Sequence, residues 1–256
     1  MKTAQTLARL TLFALVVFSS SASPAVAQEA KPPHWTYEGE HGPTHWGSLE
    51  SDYGACQLGK LQSPIDIRGA KPADLPAIQF SYQPAPLKLI DNGHTIQVTW
   101  PAGSFITVGD HKYELQQFHF HHPAEEKVNG KSFPLVAHLV HKDSEGKLAV
   151  VAVLLTNGEA NPVVADVWKH LPAEEGKEIT PEGVSIEVTK LLPSKRGYYT
   201  YTGSLTTPPC TEGVTWFVLK SPAQVSKDQV ATFAKKFPHN ARPVQPTHGR
   251  VVQATK

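Results

Sequence analysis

Thirteen histidines are spread over 256 residues, yet five of them (His119, His121, His122, His138 and His141) fall within a stretch of 23. Imidazole is the commonest protein ligand for transition metals and the side chain that titrates nearest neutral pH, so the cluster is the first place to look for chemistry. His119 and His121 form an i, i+2 pair in Gln117-Phe118-His119-Phe120-His121, and on a strand both side chains project from one face. Downstream, Val128-Asn129-Gly130-Lys131 contains Asn-Gly, the strongest short hairpin signal. A two-residue turn there makes paired positions sum to 259, which sets His121 opposite His138 with Cβ atoms about 4.5–5.5 Å apart on one face. Three convergent imidazoles with no fourth protein ligand describe a zinc site of the open, catalytic kind. A histidine-rich polar cluster without metal is the alternative. Pro123 and Pro134 disturb the ladder, and a slip of one residue would turn His138 to the opposite face. His122 and His141 have the opposite parity and read as hydrogen-bonded structural or surface residues.

The elements that must hold these histidines read mainly as strands. Thr95–Trp100 alternates, with Ile96, Val98 and Trp100 on one face. Leu148–Leu155 is a continuous apolar run, as for a strand covered on both faces, and Gly213–Leu219 is rich in β-branched and aromatic residues. Two helices are predicted. Asn161-Pro162 supplies an N-cap and a first-turn proline before Val163, Val164, Val167, Trp168 and Leu171. Ser226-Lys227-Asp228-Gln229 fits a capping box, with Val225 and Val230 as its hydrophobic staple and Phe233 and Phe237 continuing the buried stripe. The 22 prolines and 18 glycines argue against a helical bundle, since both interrupt helices. The expected architecture is a mainly β fold: a large, mostly antiparallel twisted sheet with short helices at its periphery. A balance of 24 basic against 23 acidic residues excludes a basic nucleic-acid footprint and an acidic disordered tail. No nucleic-acid partner is expected.

Lys2 and Arg9, the apolar stretch Leu10–Phe18 and the small residues Ala25-Val26-Ala27 are the three regions of a secretory signal cleaved after Ala27. A retained membrane anchor is the alternative. Residues 1–27 are thus expected to be a signal peptide and 28–256 a single domain, periplasmic or secreted and free of the membrane after cleavage. Cys56 and Cys210 are the only cysteines. In an oxidising compartment one disulfide is the leading expectation, with two free buried thiols as the alternative. Closing a loop of roughly 155 residues would contribute up to about 5 kcal/mol.

Five motifs, in this order over nearly the whole expected mature chain, resemble the α-class carbonic anhydrases. They are His34-Trp35-Thr36-Tyr37, Gln62-Ser63-Pro64-Ile65-Asp66-Ile67, Asn92-Gly93-His94, Gln117-Phe118-His119-Phe120-His121 and Gly203-Ser204-Leu205-Thr206-Thr207-Pro208-Pro209-Cys210. Ala137-His138-Leu139-Val140-His141 stands where that family has its third metal ligand. The resemblance implies zinc held by His119, His121 and His138, and catalysis of the reversible hydration of carbon dioxide to bicarbonate by zinc-bound hydroxide, with ester hydrolysis as a side activity. The acidity of the bound water in such a site, near 7, has this family as its reference case. Carbon dioxide, bicarbonate and water are the implied small-molecule partners, and a homodimer is the habit of bacterial relatives.

The same resemblance assigns roles one residue at a time. Thr206 looks like the gatekeeper hydroxyl that accepts from the hydroxide and donates to Glu125, a carboxylate that without it would read as a solvated loop residue beside Glu126. His94 looks like the proton shuttle, standing at a pocket rim, where a structural role is the alternative. Val140, Val150, Leu205, Val214 and Trp216 resemble the apolar wall beside the metal, with Thr207 next to them; on bare sequence each reads as core. Gln117 looks like the acceptor for His119, the backbone carbonyl of Asn240 like that for His121, and Tyr37 like a further supporting group. Cys56 and Cys210 occupy the positions of the disulfide of bacterial members, and Ser63-Pro64 and Pro208-Pro209 those of cis bonds. The chain departs from the best-known members at Val136, where they carry a Glu two residues before the third ligand, so the partner of His138 is left open. Two rival readings are a non-catalytic domain of the same fold and a copper–zinc dismutase. The second is suggested only by His-x-His with one disulfide, and it needs further ligands including a bridging imidazole.

Overall fold

A computed structural model describes residues 34–256, so the expected signal segment lies outside the described residues. The long strands are β1 (Ile96–Thr99), β2 (Phe105–Val108), β3 (His111–His121), β4 (Leu135–Lys142), β5 (Leu148–Asn157), β6 (Tyr198–Ser204) and β7 (Glu212–Leu219). They form the body of a twelve-stranded sheet whose central order is β6-β7-β5-β4-β3-β1, with β2 also paired to β3. Most neighbours are antiparallel; β5 and β7 run parallel. The expected sheet is the observed one, and the apolar run 148–155 is its most covered strand, with every residue from Ala149 to Leu155 buried.

Alternation along these strands sorts their side chains into two apolar clusters, one on each face. Phe118 and Phe120 of β3, Leu135, Ala137 and Leu139 of β4, and Val151 and Val153 of β5 belong to the larger one. Val136 of β4, Val150, Ala152 and Leu154 of β5, and Val214, Trp216 and Val218 of β7 belong to the other. Helices α1 (Pro162–Lys169) and α2 (Lys227–Lys236) cover the larger cluster. Asn161 caps α1 by accepting from the Val163 and Val164 N–H groups, and Ser226 with Gln229 completes a capping box on α2. The stripe on each helix meets the sheet through aromatic rings: Trp168 stacks on Phe233 at 5.2 Å, and Phe120 lies 4.9 Å from Trp168. The odd-numbered histidines 119 and 121 therefore face away from the helices.

The hairpin register differs from the expected one. Asn129 and Gly130 both have positive φ, 51° and 79°, and Val128 bridges Lys131, so the two-residue turn forms as predicted. Beyond it, however, His138 pairs with His119, and Val136 with His121, so paired positions sum to 257 and not 259. The shift arises where the Ala124 N–H donates to Phe133 O, leaving Glu125, Glu126 and Lys127 opposite Ser132 alone. Two extra residues bulge from one strand, held there by parallel pairing of Lys127-Val128 with Asp66-Ile67. A displacement of two preserves strand parity, so His138 stays on the face of His119 and His121.

Cys56 and Cys210 are joined, with S–S 2.05 Å and Cα–Cα 5.0 Å, which removes the free-thiol alternative. Ser63-Pro64 and Pro208-Pro209 are cis, as is His122-Pro123, which no sequence motif had singled out. No helix among the described residues is long and apolar enough to cross a membrane.

Candidate metal centre

The side chains of His119, His121 and His138 bring one ligand atom each to within 4.8 Å of one another. Hydrogen bonds decide which nitrogen each ring presents. His119 Nδ1 meets Gln117 Oε1 at 2.8 Å and His121 Nδ1 meets Asn240 O at 2.7 Å, which leaves Nε2 free on both. His138 is turned the other way: its Nε2 meets Glu126 Oε1 at 2.8 Å, leaving Nδ1 for the centre. Each acceptor fixes a tautomer with its lone pair aimed inward. His121 Nε2 is buried without any partner, an orphan that a cation at this point would satisfy. His119 is only half-buried while His121 and His138 are 1% exposed, so the centre is open on the side of His119. The donor set fits zinc: three convergent imidazole nitrogens and one accessible position.

Burial pushes His119 down to about 3, with the charge of His138 adding to it, and holds His121 well below the ordinary imidazole range. Both are therefore neutral and ready to ligate. Burial also acts to lower His138, but the adjacent Glu126 and Glu125 outweigh it and leave the imidazole raised.

Glu125 is not a solvated loop residue. The bulge turns it inward, where it is 2% exposed and accepts the Arg242 N–H through Oε1 at 2.8 Å. Burial raises its carboxyl to about 7; the neighbouring Glu126 adds to this, while His138, the Arg242 N–H and the Thr206 hydroxyl favour the ionised form. Thr206 is itself buried, and its hydroxyl stands close enough to Glu125 to favour the carboxylate, while Glu125 Oε2 has no hydrogen-bond partner. Tyr37 lies near the same carboxylate: burial, then the Glu125 charge, lifts its phenol well above the usual range. Val150, Val214 and Trp216 are all 2% exposed in the smaller apolar cluster, with Val140 and Leu205 packed on it. The Trp216 ring stands edge-on to His138 at 5.0 Å. Thr207 is half-buried in the same loop, and its carbonyl accepts the Cys210 N–H.

His94 is half-buried on the wall of an open pocket, as a rim position requires, but its ring is not free in water. Its ring lies flat on Trp35, with centroids 3.5 Å apart and planes 7° apart, and Nε2 is buried without a partner. Burial, then the charge of His34, lowers it to about 4 against the opposing pull of Asp91. His141 is buried on the helix-covered face, where Nε2 meets the Tyr82 hydroxyl at 2.7 Å, and His122 Nδ1 meets Pro238 O. Both play the structural part that their parity predicted.

Three contributors had no sequence signal strong enough to be singled out. Glu126 is one. The Asn240 side chain is another: its amide donates to His94 O and Phe120 O while its carbonyl accepts from His122 N–H. The third is Arg242, 2% exposed, whose guanidinium donates to Gln62 Oε1, Ser63 O and Cys56 O. It ties the backbone that supports Glu125 to the disulfide segment.

A large twisted sheet carrying three convergent histidines on the face away from its helices defines a β-sheet zinc protein. The sequence pattern of the eukaryotic-type carbonic anhydrases matches residues 41–256. A carbonic anhydrase of Nostoc sp. is 41% identical over 250 residues, covering 95% of each chain. A hyperthermostable carbonic anhydrase identified from an active hydrothermal vent chimney superposes with a TM-score of 0.84 at 44% identity, over 87% of this chain and 100% of that one. The α-carbonic anhydrase of Thermovibrio ammonificans, solved with the inhibitor sulfanilamide, gives 0.83 at 42% identity over 89% and 100%. The chain belongs to the eukaryotic-type, or α, carbonic anhydrase family, whose members use zinc.

Proposed function

We propose that this chain is a zinc enzyme that interconverts carbon dioxide and bicarbonate, with His119 and His121 ligating through Nε2 and His138 through Nδ1. The observation that carries the reading is the set of three hydrogen bonds that occupy the outer nitrogen of each ring and leave the inner ones free. Bound zinc supplies a Lewis acid that makes a nucleophile of water near neutral pH, for which carbonic anhydrase is itself the reference case.

The chain's own residues select and position what reacts. Glu125 takes up the donor of the Thr206 hydroxyl, so the hydroxyl oxygen accepts only from a protonated partner, and this orients the nucleophile. Val140, Val150, Leu205, Val214 and Trp216 present apolar surface, as a small uncharged substrate requires, with Thr207 at its edge. Gln117, the Asn240 carbonyl and Glu126 hold the rings, and Tyr37, packed with Trp35 and Trp46, lies within reach of the Glu125 charge. His94 relays the proton that the reaction releases.

The segment 1–27 directs the chain out of the cytoplasm and is removed, leaving 28–256 as a single periplasmic or secreted domain; the disulfide supports that compartment.

Metal analysis tests the reading. One zinc and no copper per chain is expected, and His119→Ala, His121→Ala and His138→Ala are each expected to lose zinc and activity together. A preparation without metal would favour a non-catalytic domain of this fold. Copper would favour the dismutase, although the three-histidine group among the described residues has no further histidine to bridge a second ion.

A further inference from the structure

We propose that Glu126 is the positioning residue for the third zinc ligand, supplying from the bulge after Ala124 the carboxylate that position 136 lacks. The proposal rests on the zinc reading above. Val136 lies on β4 two residues before His138 and faces the same side, but it is fully buried among Ile65, Ala152 and Leu154 and offers only methyl groups. His138 Nε2 nevertheless has a partner: Glu126 Oε1 at 2.8 Å, with Glu126 0% and His138 1% exposed.

The bulge explains how it gets there. Without the two extra residues opposite Ser132, the residue pairs would run on from Val128–Lys131 in even register. With them, both glutamates fold inward on opposite flanks of His138. Glu125 Oε2 lies 3.8 Å from Nδ1, whereas Glu126 lies on Nε2. Of the three rings, His138 alone is hydrogen-bonded to an ionisable acceptor; Gln117 and the Asn240 carbonyl are neutral, and Glu125 Oε1 stands 3.6 Å from His121 Nδ1, beyond hydrogen-bond distance. A carboxylate makes a stronger, charge-assisted bond to an imidazole N–H and raises the basicity of the opposite nitrogen. The second oxygen of Glu126 is buried with no partner, a cost that a cation one imidazole away offsets. Glutamates at 126 and 136 together would crowd three carboxylates around one ring, so either position suffices and this chain uses 126.

The test is the rate at which zinc-loaded protein gives up its metal to the chelator 4-(2-pyridylazo)resorcinol, alongside the zinc affinity of the apoprotein. Glu126→Ala is expected to weaken zinc binding about 10–100-fold and speed its release, with Glu126→Gln between it and the unaltered protein. Adding Val136→Glu to Glu126→Ala is expected to restore slow release, because the acceptor returns from the other side. A purely structural role would lower the melting temperature of the Glu126→Gln apoprotein and leave zinc release at the unaltered rate; that result overturns the proposal. So does a folded double variant with no restoration. Unaltered protein that binds no zinc would defeat the zinc reading with it, whereas zinc held equally tightly by every Glu126 variant would defeat this proposal alone.

Discussion

The flat contact between His94 and Trp35 sets a condition on any proton relay. A ring held at about 4 by burial and the nearby His34 carries almost no proton at neutral pH, so a relay through it would require the ring to leave Trp35 for water, where an imidazole's ordinary affinity near 6.5 applies. Replacing His94 by Ala is therefore expected to lower kcat roughly tenfold or more while kcat/KM stays constant, and free imidazole in the buffer should restore turnover. An unchanged kcat in weak buffer, or a parallel fall in kcat/KM, would remove His94 from the relay. At this scale the ligands were legible because His-x-His and a third histidine of matching parity form a local pattern, and Gln117 sits within it. Glu126 was not legible. An adjacent pair of glutamates near a hairpin turn has the composition of a solvated loop, and its burial depends on a bulge that no residue type announces.

Among the elements, the loop carrying Thr206 is held from three sides. The disulfide fixes Cys210 to the short helix Ala55–Leu58, and Gln62 Nε2 donates to Cys210 O. Ser63 and Ser204 exchange hydrogen bonds, each backbone N–H donating to the other's hydroxyl. The close approach requires Gly203, where a Cβ would collide with Ser63 Oγ and the Trp216 ring. Replacing both cysteines by serine is expected to cost about 2–5 kcal/mol in denaturant unfolding and to lower activity by freeing the Thr206 loop. A variant with unaltered midpoint and turnover would contradict that role. Element types and caps were readable from alternation, the Asn161 cap and the Ser226 box. The ladder register was not, because counting from the Asn-Gly turn assumes an uninterrupted pair of strands. Because the insertion is even, His138 keeps the strand parity that the count assigned to it.

Across the whole molecule, the sheet keeps its metal chemistry and its largest apolar cluster on opposite faces, and the face opposite the metal carries a pH-sensitive weakness. His141, 0% exposed against Tyr82, is lowered by burial from 6.5 to about 3. Its contribution to stability is complete above 6.5. It is lost as pH falls toward 3, by up to about 1.4 kcal/mol per unit, because the unfolded chain binds the proton that the folded one refuses. His141→Gln, which keeps a partner for Tyr82, is expected to flatten the acid limb of the stability curve; an identical limb would show that other groups set it. Whether the three inward imidazoles hold the metal on which activity depends is decided by assaying carbon dioxide hydration before chelation, after chelation and after zinc is returned. Full activity, loss in step with zinc content, and recovery with one equivalent of zinc are expected. Activity that persists in demonstrably zinc-free, folded protein would contradict that dependence.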